Sequence, residues 1–129
     1  MSKIEYNDLS RAIIGGCIDV HRELGPGLLE SVYEECLAFE LQSRGLFVER
    51  QYELPVVYKD QVLSKTFVMD LIVNGLIVVE LKAVQTLLPV REVQLLTYLR
   101  MARLKLGLLI NFNVELMRDG IIRKINGYL

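Results

Sequence analysis

Residues 76–83 read Leu76-Ile77-Val78-Val79-Glu80-Leu81-Lys82-Ala83. The segment Leu76–Val79 is apolar on both faces of any strand it forms, which predicts a central strand covered on both sides. Two opposite charges then interrupt it. Positions i and i+2 of a strand share a face, so Glu80 and Lys82 project the same way. Burying such charges costs on the order of several kcal/mol per ion unless they are compensated. A structural ion pair meets that demand. So does a working site, and a third charge, Asp70, lies in the preceding apolar run. Two carboxylates with a lysine beside them are what divalent-metal phosphoryl chemistry requires. The acids hold Mg²⁺, and the lysine steers a water or steadies charge on a phosphate.

Working outward, Val62 to Val73 and Leu76 to Ala83 read as strands joined at Asn74-Gly75, a strong hairpin signal. A plain two-residue turn would pair Val73 with Leu76 and Asp70 with Val79, which sets Asp70 and Glu80 on opposite faces. For Asp70, Glu80 and Lys82 to share a face, the loop needs one more residue, or a strand needs a bulge. Upstream, Leu46 to Tyr58 is rich in β-formers and Lys59-Asp60-Gln61 is its turn.

Two helices precede the strands. Asn7-Asp8 is the expected cap of the first, which runs to about Leu24 with Ile13, Cys17, Val20 and Leu24 on one face. Gly25-Pro26-Gly27 ends it. The second runs from about Glu30 to Arg44, with Gly45 at its C-cap. After the central strand, Pro89 opens a third helix to about Ala102, Leu106 to Phe112 is another buried strand, and Asp119-Gly120 suggests a last short hairpin. The predicted order is α-α-β-β-β-α-β and a tail, a single α/β domain over 1–129.

Composition bounds the rest. The 129 residues suffice for one core. Apolar residues are 52% and mean hydropathy is +0.32, an excess that predicts self-association as a homodimer. No apolar run is long enough for a membrane span, and the start MSKIEYNDLSR has no signal-peptide pattern. Cys17 and Cys36, set in helical patterns among apolar residues, read as reduced thiols, so a cytoplasmic location is expected. The net charge of −1 is divided: residues 1–81 hold 7 basic and 13 acidic side chains, residues 82–129 hold 8 and 3. The basic third could meet phosphates, or the two parts could simply attract each other.

Other residues carry weaker signals. Gln94 and Tyr98 lie four apart on the third helix and could line the same cleft. Glu30 complements a helix N-terminus. His21, the one histidine, reads first as a hydrogen-bonded structural residue.

Taken in order, Asp70, Glu80-x-Lys82 and Gln94-x-x-x-Tyr98 resemble the signature of the PD-(D/E)XK nuclease superfamily. Gly27-Leu-Leu-Glu30-Ser-Val-Tyr33 resembles, more narrowly, the GxxExxY family within it. The likeness continues through Val20-His21-Arg-Glu-Leu-Gly-Pro-Gly, Val79-Glu-Leu-Lys-Ala, Gln94-Leu-Leu-Thr-Tyr-Leu and Gly107-Leu-Leu-Ile-Asn-Phe. It implies a restriction-endonuclease-like αβββαβ core with a central mixed β-sheet flanked by helices. It implies Asp70 and Glu80 as metal ligands, Lys82 as the catalytic lysine, Glu30 as the helix-borne acid and Gln94 as a supporting catalytic-site residue. His21, Tyr33 and Tyr98 fall in or beside its motifs as supporting residues. Val68-Met69 before Asp70 departs from the family, which often has a basic or polar residue there.

The expected activity is Mg²⁺- or Mn²⁺-dependent hydrolysis of phosphodiester bonds in nucleic acid, with DNA the expected substrate. The Leu81 main-chain carbonyl would join Asp70 and Glu80 on the ion, with Glu30 acting through water. Arg91, Arg100, Arg103 and Lys105 are the candidates for phosphate contacts. The competing reading is a non-catalytic nucleic-acid-binding or assembly module that keeps the fold. Its mark would be a missing acid or lysine, and none is missing.

Overall fold

The computed structural model describes residues 1–129. Helix α1 spans Lys3–Leu24, and its cap is Ser2, whose hydroxyl accepts from the Glu5 N–H at 3.2 Å. The expected cap at Asn7-Asp8 is therefore corrected. Ser2 with an acid three residues on is the capping-box pattern, and it starts the helix more than a turn earlier. Ile13, Cys17 and Val20 are buried, as their spacing predicts, and the helix stops at Gly25 with φ 70°. Helix α2 covers Glu30–Ser43, with Gly45 left-handed just beyond it.

The sheet has five strands in the order β1-β2-β3-β4-β5. These are β1 Val48–Tyr58, β2 Gln61–Val73, β3 Ile77–Lys82, β4 Leu106–Asn111 and β5 Ile121–Ile125, with α3 at Val90–Ala102 between β3 and β4. β3 and β4 are parallel and the other neighbours antiparallel, so the sheet is mixed. A parallel pair needs a crossover, and α3 is that crossover. Apolar residues of α1 and α2 cover one face with Leu71, Val73, Val79 and Leu81; Leu95, Tyr98 and Leu99 of α3 cover the other with Ile72, Val78 and Leu109. The doubly covered central strand expected at Leu76–Val79 is β3.

The chain's end differs from the expected tail. Met117–Gly120 is a short 3₁₀ turn, and the chain then returns as β5 against β4. A Cβ on Gly120 would stand 2.1 Å from the Asn111 carbonyl oxygen, so only glycine fits that return.

The β2–β3 hairpin sets the site's register. Asn74 and Gly75 both have positive φ, 53° and 64°, and the Leu76 N–H bonds the Val73 carbonyl at 3.0 Å, as in a type I′ turn. Yet the ladder pairs Val73 with Ile77, which leaves Leu76 as a surplus residue packed against the core under α1 and α2. Asn74 is tied to the lead-in of β1: its N–H bonds the Phe47 carbonyl at 2.7 Å and its side-chain oxygen accepts from the Phe47 N–H at 2.8 Å. The extra loop residue that a joint carboxylate site demands is present.

Candidate active site

The β2–β3 ladder runs Val73↔Ile77, Ile72↔Val78, Leu71↔Val79 and stops. Continuing that register would set Asp70 opposite Glu80. There, side chains replace the main-chain ladder. The Asp70 N–H donates to Glu80 Oε1 at 3.1 Å, and the Leu81 N–H donates to Asp70 Oδ2 at 2.8 Å. Each carboxylate thus reaches across to the other strand. The expectation of one flat face is not met as drawn. Val78, which alternation sets with Glu80, packs under α3, whereas Asp70 lines a cleft under α2. The two carboxylates meet in the opening where the strands part.

Glu80 is 5% exposed. Burial, and after it the negative charge of Asp70, push its carboxyl up to about 8, while the Asp70 N–H and the Lys82 charge pull the other way. No lysine or arginine forms an ion pair with either carboxylate. A structural Glu80–Lys82 bridge is therefore not what holds Lys82, which is half-buried. Two crowded hard-oxygen donors without a cationic partner fit a divalent cation. No third histidine, cysteine or acid completes a ligand cluster. Mg²⁺ is commonly held by one or two carboxylates with water filling its other positions, so the donor set suits it.

The cleft beside Asp70 has a volume of about 410 Å³ and is lined by Glu30, Ser31, Glu34, Gln51, Asp70 and Leu81. Glu30, the first residue of α2, thus opens toward Asp70. Tyr33 sets up that placement. Its hydroxyl donates to the Gly25 carbonyl at 2.6 Å and accepts from the Leu28 N–H at 3.2 Å, and its ring stacks on Phe112 at 4.4 Å. These contacts pin the loop that delivers Glu30. The largest cavity, about 580 Å³ between α1 and α2, is a separate one: it is rimmed by Asp19, Glu23, Glu35 and Glu40 and contains none of these residues.

On α3, Tyr98 is buried against Phe67, and its hydroxyl is held above the usual range by burial and then by the charges of Glu80 and Asp70. The charge of Arg91, one of the four phosphate candidates, pulls Tyr98 the other way. Gln94 is half-buried one turn before Tyr98, and its side chain makes no hydrogen bond within the chain.

A family model described as the PD-(D/E)XK nuclease superfamily matches residues 7–124. The chain belongs to the PD-(D/E)XK nuclease superfamily. No curated protein and no solved structure matches it. Superfamily members are generally nucleases, typically with divalent metal ions and a nucleic-acid substrate. The mixed sheet with flanking helices is the restriction-endonuclease-like α/β fold that the superfamily implies.

Against this superfamily frame, some expected residues lie elsewhere. His21 bonds the Val114 carbonyl through Nε2 at 2.7 Å and lines a separate pocket with Leu116 and Met117, away from the carboxylates. Arg100, Arg103 and Lys105 cluster at the far end of α3, next to Leu106, which pairs with Ile77 at the end of β3 remote from Lys82. A helix of 13 residues carries them away from the carboxylates. Glu34 and Gln51 of the cleft, with Arg50 behind them, went unread in the sequence. Glu34 accepts from Arg50 Nε and Nη2 at 3.2 and 3.0 Å and from the Gln51 amide, which also reaches Asp70 Oδ1 at 3.4 Å. Only the i, i+4 spacing of Glu30 and Glu34 could have pointed to them.

Proposed function

We propose that this chain is a divalent-metal-dependent nuclease that hydrolyses phosphodiester bonds in DNA. The observation that carries the reading is the reciprocal hold of Asp70 and Glu80 across the parted β2 and β3, with Lys82 two residues further along β3. Asp70, Glu80 and the Leu81 carbonyl would hold Mg²⁺ or Mn²⁺, and Glu30 would complete the shell through water. When bound, the ion supplies Lewis-acid stabilisation of charge on the phosphate.

The protein's own groups do the rest. An ammonium donates and cannot accept. Lys82 can therefore hold a water by its lone pair and stabilise charge growing on a non-bridging phosphate oxygen, but it cannot take the water's proton. Arg91 would bind the scissile region's backbone. Arg100, about 14 Å from Arg91 along α3 by helical rise, and Arg103 and Lys105 just past the helix end would bind phosphates further away. Gln94 and Tyr98 would line the α3 side of the opening.

The motif Gly27-Leu-Leu-Glu30-Ser-Val-Tyr33 supports a narrower place in the GxxExxY family. A homodimer and a cytoplasmic location belong to the same reading. The exposed apolar residues Val57, Tyr58, Val62 and Leu63 on the β1–β2 arm support the first, and the two free thiols support the second. No helix is long and apolar enough to cross a membrane.

The test is incubation of pure protein with single-stranded, duplex and branched DNA in Mg²⁺, Mn²⁺ or EDTA. Cleavage that needs the ion and is lost in Asp70→Asn and Glu80→Gln is the expected result. Tight DNA binding without cleavage in either ion would instead favour the non-catalytic module.

A further inference from the structure

Gln51 is a non-glycine residue with φ 49° in the middle of β1. Left-handed backbone is uncommon outside glycine and asparagine, and it persists only where surrounding contacts impose it. The contacts here come from the side chain. Its Nε2 donates to Glu34 Oε1 and reaches Asp70 Oδ1 at 3.4 Å. Both neighbours are carboxylates, so the amide must present its NH₂ to them. Its orientation follows from the network. The far carboxylate is itself fixed, because Glu34 is buried on α2 and held by the two Arg50 donors. The irregularity also turns consecutive residues Arg50 and Gln51 toward the same carboxylate, which an ordinary alternating strand cannot do.

We propose that Gln51 is a positioning residue for Asp70, fixing one carboxylate oxygen from β1 while the Leu81 N–H fixes the other from β3. The chain Arg50–Glu34–Gln51–Asp70 then ties the metal-site carboxylate to helix α2, the same helix that presents Glu30. This rests on the reading of Asp70 as a metal ligand. Partners that orient a ligand typically change metal affinity 10–100-fold when removed.

The test compares Gln51→Asn and Gln51→Gly with wild type in the full-length chain. Both residues accept left-handed backbone; glycine has no side chain, and the asparagine amide is one methylene shorter than one that already meets Asp70 only at 3.4 Å. Mn²⁺ affinity by titration calorimetry should fall about 10-fold or more in both variants, while both still unfold cooperatively in EDTA. Wild-type Mn²⁺ affinity in Gln51→Asn would overturn the proposal. If the wild type itself bound no Mn²⁺, the metal-site reading would fail separately. The positioning claim is then decided by an unfolding cycle in EDTA with Gln51→Asn, Asp70→Asn and the double variant. Non-additive effects support it, and additive effects overturn it.

Discussion

The Asp70 N–H is bonded to the Glu80 carboxylate, so the residue whose charge, after burial, raises Glu80's pKa also holds it in place by its backbone. The arrangement keeps two acids together in a partly dry opening, where either alone would be easier to bury. Such a site is strained toward proton uptake or cation binding, and this has consequences for stability.

The first is pH dependence in metal-free protein. Glu80 titrates near 8 when folded, against an ordinary 4.5. A carboxyl that keeps its proton in the fold stabilises the fold where the unfolded chain would have lost its own. That contribution is fully present below about 4.5 and is lost as pH rises towards 8. The slope is at most about 1.4 kcal/mol per pH unit. Urea unfolding in EDTA should therefore show wild type weakening from pH 5 to pH 8. Glu80→Gln should be flatter and more stable than wild type at pH 8. Parallel curves for the two proteins would remove this account of Glu80.

Tyr33 tests how the loop delivers Glu30. Tyr33→Phe keeps the stack on Phe112 but leaves the Gly25 carbonyl and Leu28 N–H without their shared partner. A loss of about 1–3 kcal/mol is expected. Cleavage should fall as well, because the Gly25–Leu29 segment would no longer fix where α2 begins. Unchanged cleavage at normal stability would show that Glu30 needs no such anchor.

The thiols separate in the same way. Burial pushes Cys17 up to about 12, against the opposing pull of the Arg44 charge, whereas Cys36 is partly exposed. Native protein at pH 8 should label once with a maleimide, at Cys36. Cys17 should react only as the fold opens, since the thiolate is the nucleophile. Rapid double labelling without denaturant would mean that the α1–α2 core is looser than its packing indicates.

The β1–β2 arm bears on assembly. β2 pairs with β3 only over Leu71–Val73, so its residues 61–69 have β1 as their sole strand partner. A two-stranded ribbon is marginal alone, and Val62 at its tip is 71% exposed. Light scattering should give twice the 14.8 kDa chain mass, and Val62→Lys with Leu63→Glu should shift it to the monomer. A monomeric wild type at micromolar concentration would end the homodimer idea.

Much of this architecture is legible because the periodicities are clear. β3 and β4 are apolar on both faces, and Glu80 and Lys82 stand out as charges in such a strand. What stayed hidden depends on contacts between distant segments. Asn74-Gly75 signals a two-residue turn, and that turn forms. Leu76 becomes surplus only because it packs on the core and because Phe47 holds Asn74. Arg50 and Gln51 look like an ordinary polar stretch of an exposed strand until Glu34 arrives from α2. Arg91, Arg100, Arg103 and Lys105 are all candidates for phosphate contacts by sequence, yet the length of α3 separates Arg91 from the other three.

Lys82 offers the sharpest test of mechanism, because its two candidate jobs predict different mutants. As a charge balancer in the metal-free site, it would offset Asp70 and Glu80. Lys82→Met would then destabilise the protein in EDTA, and Mg²⁺ would restore both folding and cleavage. As a catalytic group, it acts on water and phosphate in the transition state, and its loss should leave metal binding intact or tighter, since a competing cation is gone. The structure favours the second. Lys82 makes no ion pair with either carboxylate, so it does not directly balance their charge. Lys82→Met should therefore unfold much like wild type in EDTA and bind Mg²⁺ at least as well by calorimetry. Its single-turnover cleavage should be slower by a factor on the order of 10²–10⁴. Undiminished cleavage with intact Mg²⁺ binding would sink the catalytic assignment, and rescue of a destabilised variant by Mg²⁺ would hand Lys82 the balancing role instead.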